Sequence, residues 1–225
     1  MRDELKHKAA LAALAELPPE GVIGLGSGST TRLFIAALGE LVAAGRRYRG
    51  VPTSEASRAQ AHALGIPLLS DDGPWDIAVT VDGADEVDDA LHLIKGGGGA
   101  HTREKIVSYS SRRNVIIVDA SKLSPRLGER WPVPVEVLTF AHLATRSHLA
   151  RLGTPALRMA GAAPFRTDTG NAIYDLACGP IDDPRALDAA LRAIPGVVET
   201  GLFIGRADVV LVAGDTGVER RMRAR

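Results

Sequence analysis

The chain has 225 residues, 45% of them hydrophobic and 24% charged, with a formal net charge of zero. That balance belongs to a globular protein with core enough for one large domain or two modest ones. Zero net charge and nine aromatic residues argue against a nucleic-acid partner, which calls for cationic faces and stacking platforms. The lone cysteine Cys178, the lack of any apolar run of spanning length and the charged start Met1-Arg2-Asp3-Glu4 speak against disulfides, a membrane span and a secretion signal. A cytoplasmic location is the expectation.

In chain order, 3–17 predicts a helix with Leu5, Leu11, Leu14 and Leu17 near one face, stopped by Pro18-Pro19. A short buried strand follows at 21–25, then Gly26-Ser27-Gly28-Ser29-Thr30 opening a second helix. Residues 54–64 read as a helix, 66–69 as a strand, 77–81 as a strand ending at Asp82, and 91–94 as a strand ending at Lys95. A helix around Glu104 leads into a strand at 115–118 that stops before Asp119-Ala120-Ser121-Lys122. From 133 the rhythm becomes strand, helix, strand, strand (172–176), helix (184–194) and strand (197–203), the split βαβ order. An apolar strand at 207–212 returns to the first sheet, and the arginine-rich 220–225 reads as a solvated tail.

The predicted class is α/β. Residues 1–127 with 206–225 are expected to form a Rossmann-like, mostly parallel sheet with helices on both faces. Residues 128–205 are expected to form a smaller α+β domain (split βαβ, ferredoxin-like), serving as a lid, a subunit interface or both.

Ligands of open parallel sheets bind beyond the carboxyl ends of the strands. On this map Ser27–Thr30, Asp82–Asp85, Lys95–Gly98 and Lys122 follow four strands and are expected on one edge of one sheet. The Gly26–Thr30 turn suits an anion, with main-chain N–H groups and hydroxyls at a helix start; an ordinary tight turn with a serine cap is the competing reading. It matches neither the dinucleotide fingerprint nor the nucleotide P-loop. Asp82 and Asp85 read either as a strand-ending turn or, beside Lys95, as carboxylates with separate acid and base roles. Gly96, Gly97 and Gly98 read as a hinge or as main-chain donors to an oxyanion. Glu104 is a helix-dipole partner when taken alone and the best general-base candidate in this company.

Only five of the 27 basic residues are lysines, which marks Lys95 and Lys122 as places where a compact charge is wanted. The six histidines show no metal-ligand spacing and no cysteine pair accompanies them, so no metal and no cofactor are expected.

These motifs together resemble ribose-5-phosphate isomerase of the A type over nearly the whole chain. The match is carried by Asp3–Lys6, Gly24–Thr30, Val81–Glu86, Lys95–Gly98, Thr102–Ile106, Ala120–Lys122, Pro132–Val137 and Ile194–Phe203. Ser27 stands where threonine is expected, and His101 where leucine is common. The resemblance implies metal-free interconversion of ribose 5-phosphate and ribulose 5-phosphate by a homodimer or homotetramer. It implies Ser27, Gly28, Ser29 and Thr30 on the phosphate, helped by Lys6, and Glu104 moving the proton. Lys95, Gly96, Gly97, Gly98 and Lys122 would stabilise the oxyanion, Asp82 and Asp85 would orient hydroxyls and relay protons, and Gly83 and Ala84 would line the substrate between them. Two rivals remain open from the residues: a sugar-phosphate sensor without catalysis, which has no need of Glu104, and an acyl-CoA transferase, which needs a larger CoA-binding half.

Overall fold

The computed structural model describes residues 2–223. The chain runs α1 (Arg2–Ala13), a 3-10 turn (Leu14–Glu16), β1 (Gly21–Leu25), α2 (Ser29–Ala43), β2 (Tyr48–Pro52), α3 (Glu55–Ala63), β3 (Ile77–Asp82), β4 (Glu86–Val87), β5 (Leu93–Ile94), α4 (His101–Tyr109) and β6 (Asn114–Asp119). After a 3-10 turn (Ala120–Lys122) come β7 (Val133–Val137), α5 (His142–Leu149), β8 (Thr154–Leu157), β9 (Met159–Ala160), β10 (Ala163–Pro164) and β11 (Ala172–Ala177). The chain closes with α6 (Pro184–Arg192), β12 (Val197–Thr200), β13 (Leu202–Phe203), β14 (Val209–Gly214) and β15 (Gly217–Met222). Two compact units divide it. The first takes the described residues of Met1–Ala84, Arg103–Lys122 and Gly205–Arg225, the second Asp85–Thr102 and Leu123–Ile204.

In the first unit the sheet order is β15-β14-β6-β3-β1-β2, parallel throughout except for β15, which pairs antiparallel with β14. Side chains alternate along β1 and so serve both faces. Ile23 and Leu25 join Ala9, Ala10 and Ala13 of α1 and Phe34, Ile35 and Leu38 of α2 in the main core. Val22 instead packs with Val51, Ile77 and Val107 of α4 on the other side. Helices therefore cover both faces, as expected. The chain leaves β1 for β2 on one side and crosses back to β3 on the other, which puts the topological switch point between β1 and β3. That crevice is where doubly wound sheets bind ligands.

In the second unit β12-β7-β11-β8 form an antiparallel sheet, and with α5 and α6 they follow the predicted split βαβ order. Its core gathers Val133, Val135, Val137, Tyr174, Leu176 and Leu191. Asp183 caps α6 by accepting the Arg185 and Ala186 N–H groups, with Pro184 in the first turn.

Several expectations need correction. The strand at 91–94 shrinks to β5, which pairs antiparallel with β4 and β13 in a separate three-stranded sheet. Lys95 and the glycines after it therefore do not follow a strand of the parallel sheet. Residues 66–69 form only a single bridge, Gly50 to Leu68, because Pro67 has no N–H to give a ladder. The run 197–203 breaks at Gly201, whose N–H donates to Pro134 O at 2.6 Å and whose carbonyl accepts the Lys95 N–H at 2.9 Å; the chain changes sheets there. The tail at 220–225 is in fact β15 as far as Met222, with Arg220 on Glu16, Arg221 on Glu219 and Arg223 on Asp208. Residues 224 and 225 lie outside the described residues.

Candidate active site

The switch point of the first unit carries the phosphate-type turn. As β1 ends, the Gly26 N–H donates to Val81 O at 3.0 Å. A Cβ on Gly26 would fall 2.1 Å from Asp82 Oδ1, so only glycine lets the turn pass the end of β3. Asp82 is 2% exposed, and its Oδ1 accepts the N–H groups of Ser27 at 3.0 Å and Gly83 at 2.7 Å. One carboxylate thus ties the β1–α2 turn to the strand beside it.

Beyond this latch, Gly28 at φ 104° serves as the N-cap of α2 and provides no side-chain cap. Gly28 and Ser29 are exposed and Thr30 is half-buried, so the first-turn N–H groups and the positive end of the helix are open to an anion. Lys6 reaches this region from α1. With Asp3, His7, Ser29, Arg32, Leu33, Ala36 and Gln60 it lines a cleft of about 600 Å³. Its 3.5 Å pairing to Asp3, a residue 96% exposed at the side chain, leaves the ammonium weakly committed.

The Ser27 hydroxyl lies at 2.8 Å from both Thr53 Oγ1 and Ser54 Oγ. Ser57 donates to Gly26 O at 2.6 Å, Thr53 to Leu25 O at 3.0 Å, and Ser54 caps α3 by accepting the Ser57 N–H at 3.2 Å. Thr53, Ser54 and Ser57 escape a reading of the sequence alone, because β2, the strand that leads into them, lacks a clear apolar pattern. The signal was there: an Asx/Ser-type cap followed by a helical run, directly after Gly50-Val51-Pro52.

Glu104 sits in the first turn of α4 and is 5% exposed. Helix α4 lies on the sheet through Val107, whose Cγ1 comes within 2.9 Å of where a Gly24 Cβ would be, and Ser111, just beyond the end of the helix, is bonded to Thr80 at 2.6 Å. Residues three apart share a helix face. Glu104 is therefore one turn nearer than Val107 to the carboxyl edge of β1 and β3. Lys122, half-buried, ends the 3-10 turn after β6, a turn braced by Asp119 Oδ1 accepting the Ser121 N–H at 3.0 Å.

The second unit holds the remaining predicted residues. Asp85 accepts the Gly97 N–H on Oδ2 at 2.7 Å and donates its own N–H to Ile94 O at 2.9 Å. Gly96 and Gly99 have φ of 106° and 81°, values that L side chains avoid. The Gly99 N–H closes a turn on Gly96 O at 2.9 Å. His101 is fully buried against Gly96, where a Cβ would meet its Nδ1 at 2.7 Å, so the departure from leucine is accommodated by the glycine. Lys95 is 4% exposed with its ammonium 5.4 Å from the centre of the Phe203 ring, a cation–π placement. Glu136, 1% exposed, accepts from Thr102 at 2.5 Å, Thr167 at 3.0 Å and Asn171 at 2.9 Å, ordering the residues that open α4. Among the described residues no group of three or more His, Cys, Asp or Glu is placed to hold a metal ion.

Of the four predicted segments, Ser27–Thr30, Lys122 and the Asp82–Ala84 part of Asp82–Asp85 stand at the carboxyl edge of the parallel sheet, whereas Asp85 falls in the second unit. The remaining segment, Lys95–Gly98, joins Asp85 in a pre-ordered cluster within the second unit.

Known proteins resemble this chain in sequence and in fold. The family ribose 5-phosphate isomerase A (phosphoriboisomerase A) matches residues 49–217. The ribose-5-phosphate isomerase A of Chloroflexus aurantiacus is 50% identical over 218 residues, covering 95% of this chain and 91% of that protein. The solved structure of ribose 5-phosphate isomerase A from Methanocaldococcus jannaschii matches with a TM-score of 0.92 at 41% identity, covering 97% of this chain and 98% of that one. A D-ribose-5-phosphate isomerase in complex with phospho-erythronic acid matches with a TM-score of 0.95, also at 41% identity, over 99% of this chain and 100% of that one. The chain belongs to the ribose 5-phosphate isomerase A family.

Proposed function

We propose that this chain interconverts ribose 5-phosphate and ribulose 5-phosphate by proton transfer through an enediolate. The observation that carries the reading is the full-length likeness to an isomerase that binds phospho-erythronic acid. That acid combines a phosphate with a carboxylate, the charge pattern of a phosphorylated enediolate.

In this reading the open α2 start takes the phosphate: Gly28, Ser29 and Thr30 through main chain and hydroxyls, Ser27 through the hydroxyl cluster, and Lys6 as a point charge. Glu104 removes the proton from carbon 2 of the aldose and returns it to carbon 1 of the ketose. As the carbon-2 proton leaves, and before carbon 1 is protonated, charge develops on the carbonyl oxygen, where Lys95, the Gly96–Gly98 amides and Lys122 stabilise it. Asp82, Gly83, Ala84 and Asp85 hold the sugar hydroxyls; Asp82 and Asp85 also relay the proton from the carbon-2 hydroxyl to the carbon-1 oxygen, and Asp82 assists ring opening. A positioned base supplies roughly 10²–10⁴-fold and each oxyanion donor about 3–4 kcal/mol, so several groups must act together to reach an ordinary enzymatic rate.

Assembly as a homodimer or homotetramer and a cytoplasmic site of action belong to the same proposal. In support of assembly, Phe140 is 86% and Leu143 65% exposed, large apolar side chains that favour a partner surface.

The test is a coupled assay of ribose 5-phosphate consumption, with and without a chelator. Turnover unchanged by the chelator is expected. Inertness would favour a sugar-phosphate sensor, and loss of activity on chelation would contradict a metal-free reaction.

A further inference from the structure

One residue outside every predicted motif controls the geometry of the glycine turn. Arg158, between β8 and β9, has its main chain fixed on both sides: its N–H donates to Ile173 O at 2.9 Å, and its carbonyl accepts the Phe165 N–H at 2.9 Å. Its Nε donates to Asp175 Oδ2 at 2.9 Å while Nη2 pairs with the other carboxylate oxygen. The remaining nitrogen, Nη1, donates to Gly96 O at 2.7 Å and Gly97 O at 3.2 Å. The Phe165 ring lies 5.8 Å from the guanidinium carbon. With side-chain exposures of 13% for Arg158 and 25% for Asp175, the pair is largely withdrawn from water.

A trans peptide is planar, so its N–H points opposite to its C=O. Two successive peptides of the turn have their carbonyls on Arg158. In the first, the Gly97 N–H is taken by Asp85 at 2.7 Å. In the second, the Gly98 N–H points away from the guanidinium, Gly98 is exposed, and no heavy atom would lie within 4 Å of a Cβ there. A cation on the carbonyl also polarises the peptide and strengthens the N–H as a donor.

We propose that Arg158 is a positioning residue for the reaction: held by Asp175, it fixes the Gly96 and Gly97 carbonyls so that the Gly98 N–H is aimed at the substrate oxyanion. The inference rests on reading the glycine turn, through the Gly98 N–H, as an oxyanion donor. A guanidinium suits the task because one planar fork serves a carboxylate with two nitrogens and two carbonyls with the third. An ammonium cannot span both.

The test compares the full-length wild type with Arg158→Met and Arg158→Lys, measuring kcat and KM for ribose 5-phosphate, inhibition by phospho-erythronic acid, and thermal melting. Arg158→Met is expected to lower kcat about 10²-fold, to leave KM within about threefold, and to weaken the acid inhibitor nearly as much as it slows turnover. Arg158→Lys keeps the charge and guards against a misfolded Met variant; it is expected to recover less than about a tenth of the lost rate. A folded variant with wild-type kcat and inhibitor affinity overturns the proposal. So does a loss shared equally by substrate and inhibitor binding that follows falling stability, which marks a merely structural residue. A wild type inert toward ribose 5-phosphate would instead overturn the functional reading beneath it.

Discussion

Gly98→Ala separates what the fold requires of this residue from what the substrate requires. Gly98 lies outside the left-handed region, and a Cβ built on it meets no heavy atom within 4 Å. For the folded chain alone, alanine is thus no burden. It restricts the unfolded ensemble and stabilises by about 0.4–1 kcal/mol, a rise in Tm of roughly 1–4 °C for a chain of this size. The proposed reaction requires the opposite, since the main chain at Gly98 must approach the oxyanion closely. A methyl group there displaces the reacting oxygen by about an ångström, and losing one oxyanion donor lowers kcat by ~10²–10³-fold. Melting curves with steady-state kinetics on ribose 5-phosphate measure both effects on one sample. A Gly98→Ala protein with raised Tm and unimpaired kcat would refute the close approach. Gly97→Ala is the contrast, because its Cβ would fall 2.8 Å from Asp85 Oδ1 and disturb the clamp itself.

Two further outcomes follow from other parts of the first unit. Lys6→Met removes the ammonium that shares a cleft with Ser29; KM for ribose 5-phosphate is expected to rise by roughly 10–100-fold, the worth of a charged hydrogen bond, with a smaller change in kcat. An unchanged KM would detach Lys6 from the phosphate. Glu16 is held below the ordinary carboxylate range by the hydrogen bond from Arg220 and by the charge of Arg113, against the opposing effect of burial. Because the folded pKa is the lower one, the unfolded chain binds the extra proton. The stability gained is present above the unfolded value of about 4.5 and lost as pH falls through the folded one. Thermal melting of Glu16→Gln is therefore expected to depend less steeply on pH than the wild type as the pH falls below the unfolded value; parallel curves would rule out Glu16 as a contributor.

The parallel sheet was legible where strands are apolar and end abruptly in chemistry. Val22–Leu25, Val79–Asp82 and Val115–Asp119 carry their own boundaries, and the segments after β1, β3 and β6 stand at the expected edge. Strand β2 was hidden because the charged pair Arg46-Arg47 runs straight into it and Arg49 interrupts its hydrophobic pattern, and with it went the Thr53–Ser54–Ser57 hydroxyls around Ser27. The glycine motif was legible as chemistry but misplaced in topology. A two-residue strand such as β5 finds its antiparallel partner in Leu202–Phe203, far along the chain, and no local pattern announces that pairing. Arg158 left no sequence signal either: its partner Asp175 is 17 residues away and Gly96 is 62, so only tertiary structure brings the three together. Strand β15 looked like a charged tail because its arginines find acidic partners such as Glu16 from the other end of the chain.

The most direct measurement is the rate of ribose 5-phosphate isomerisation by Glu104→Gln, with affinity for phospho-erythronic acid determined on the same protein. The account predicts turnover at least ~10²-fold slower than wild type, with the acid still bound within a few-fold. Wild-type turnover in that variant would contradict it, since the proton would then be moving without the carboxylate assigned to carry it.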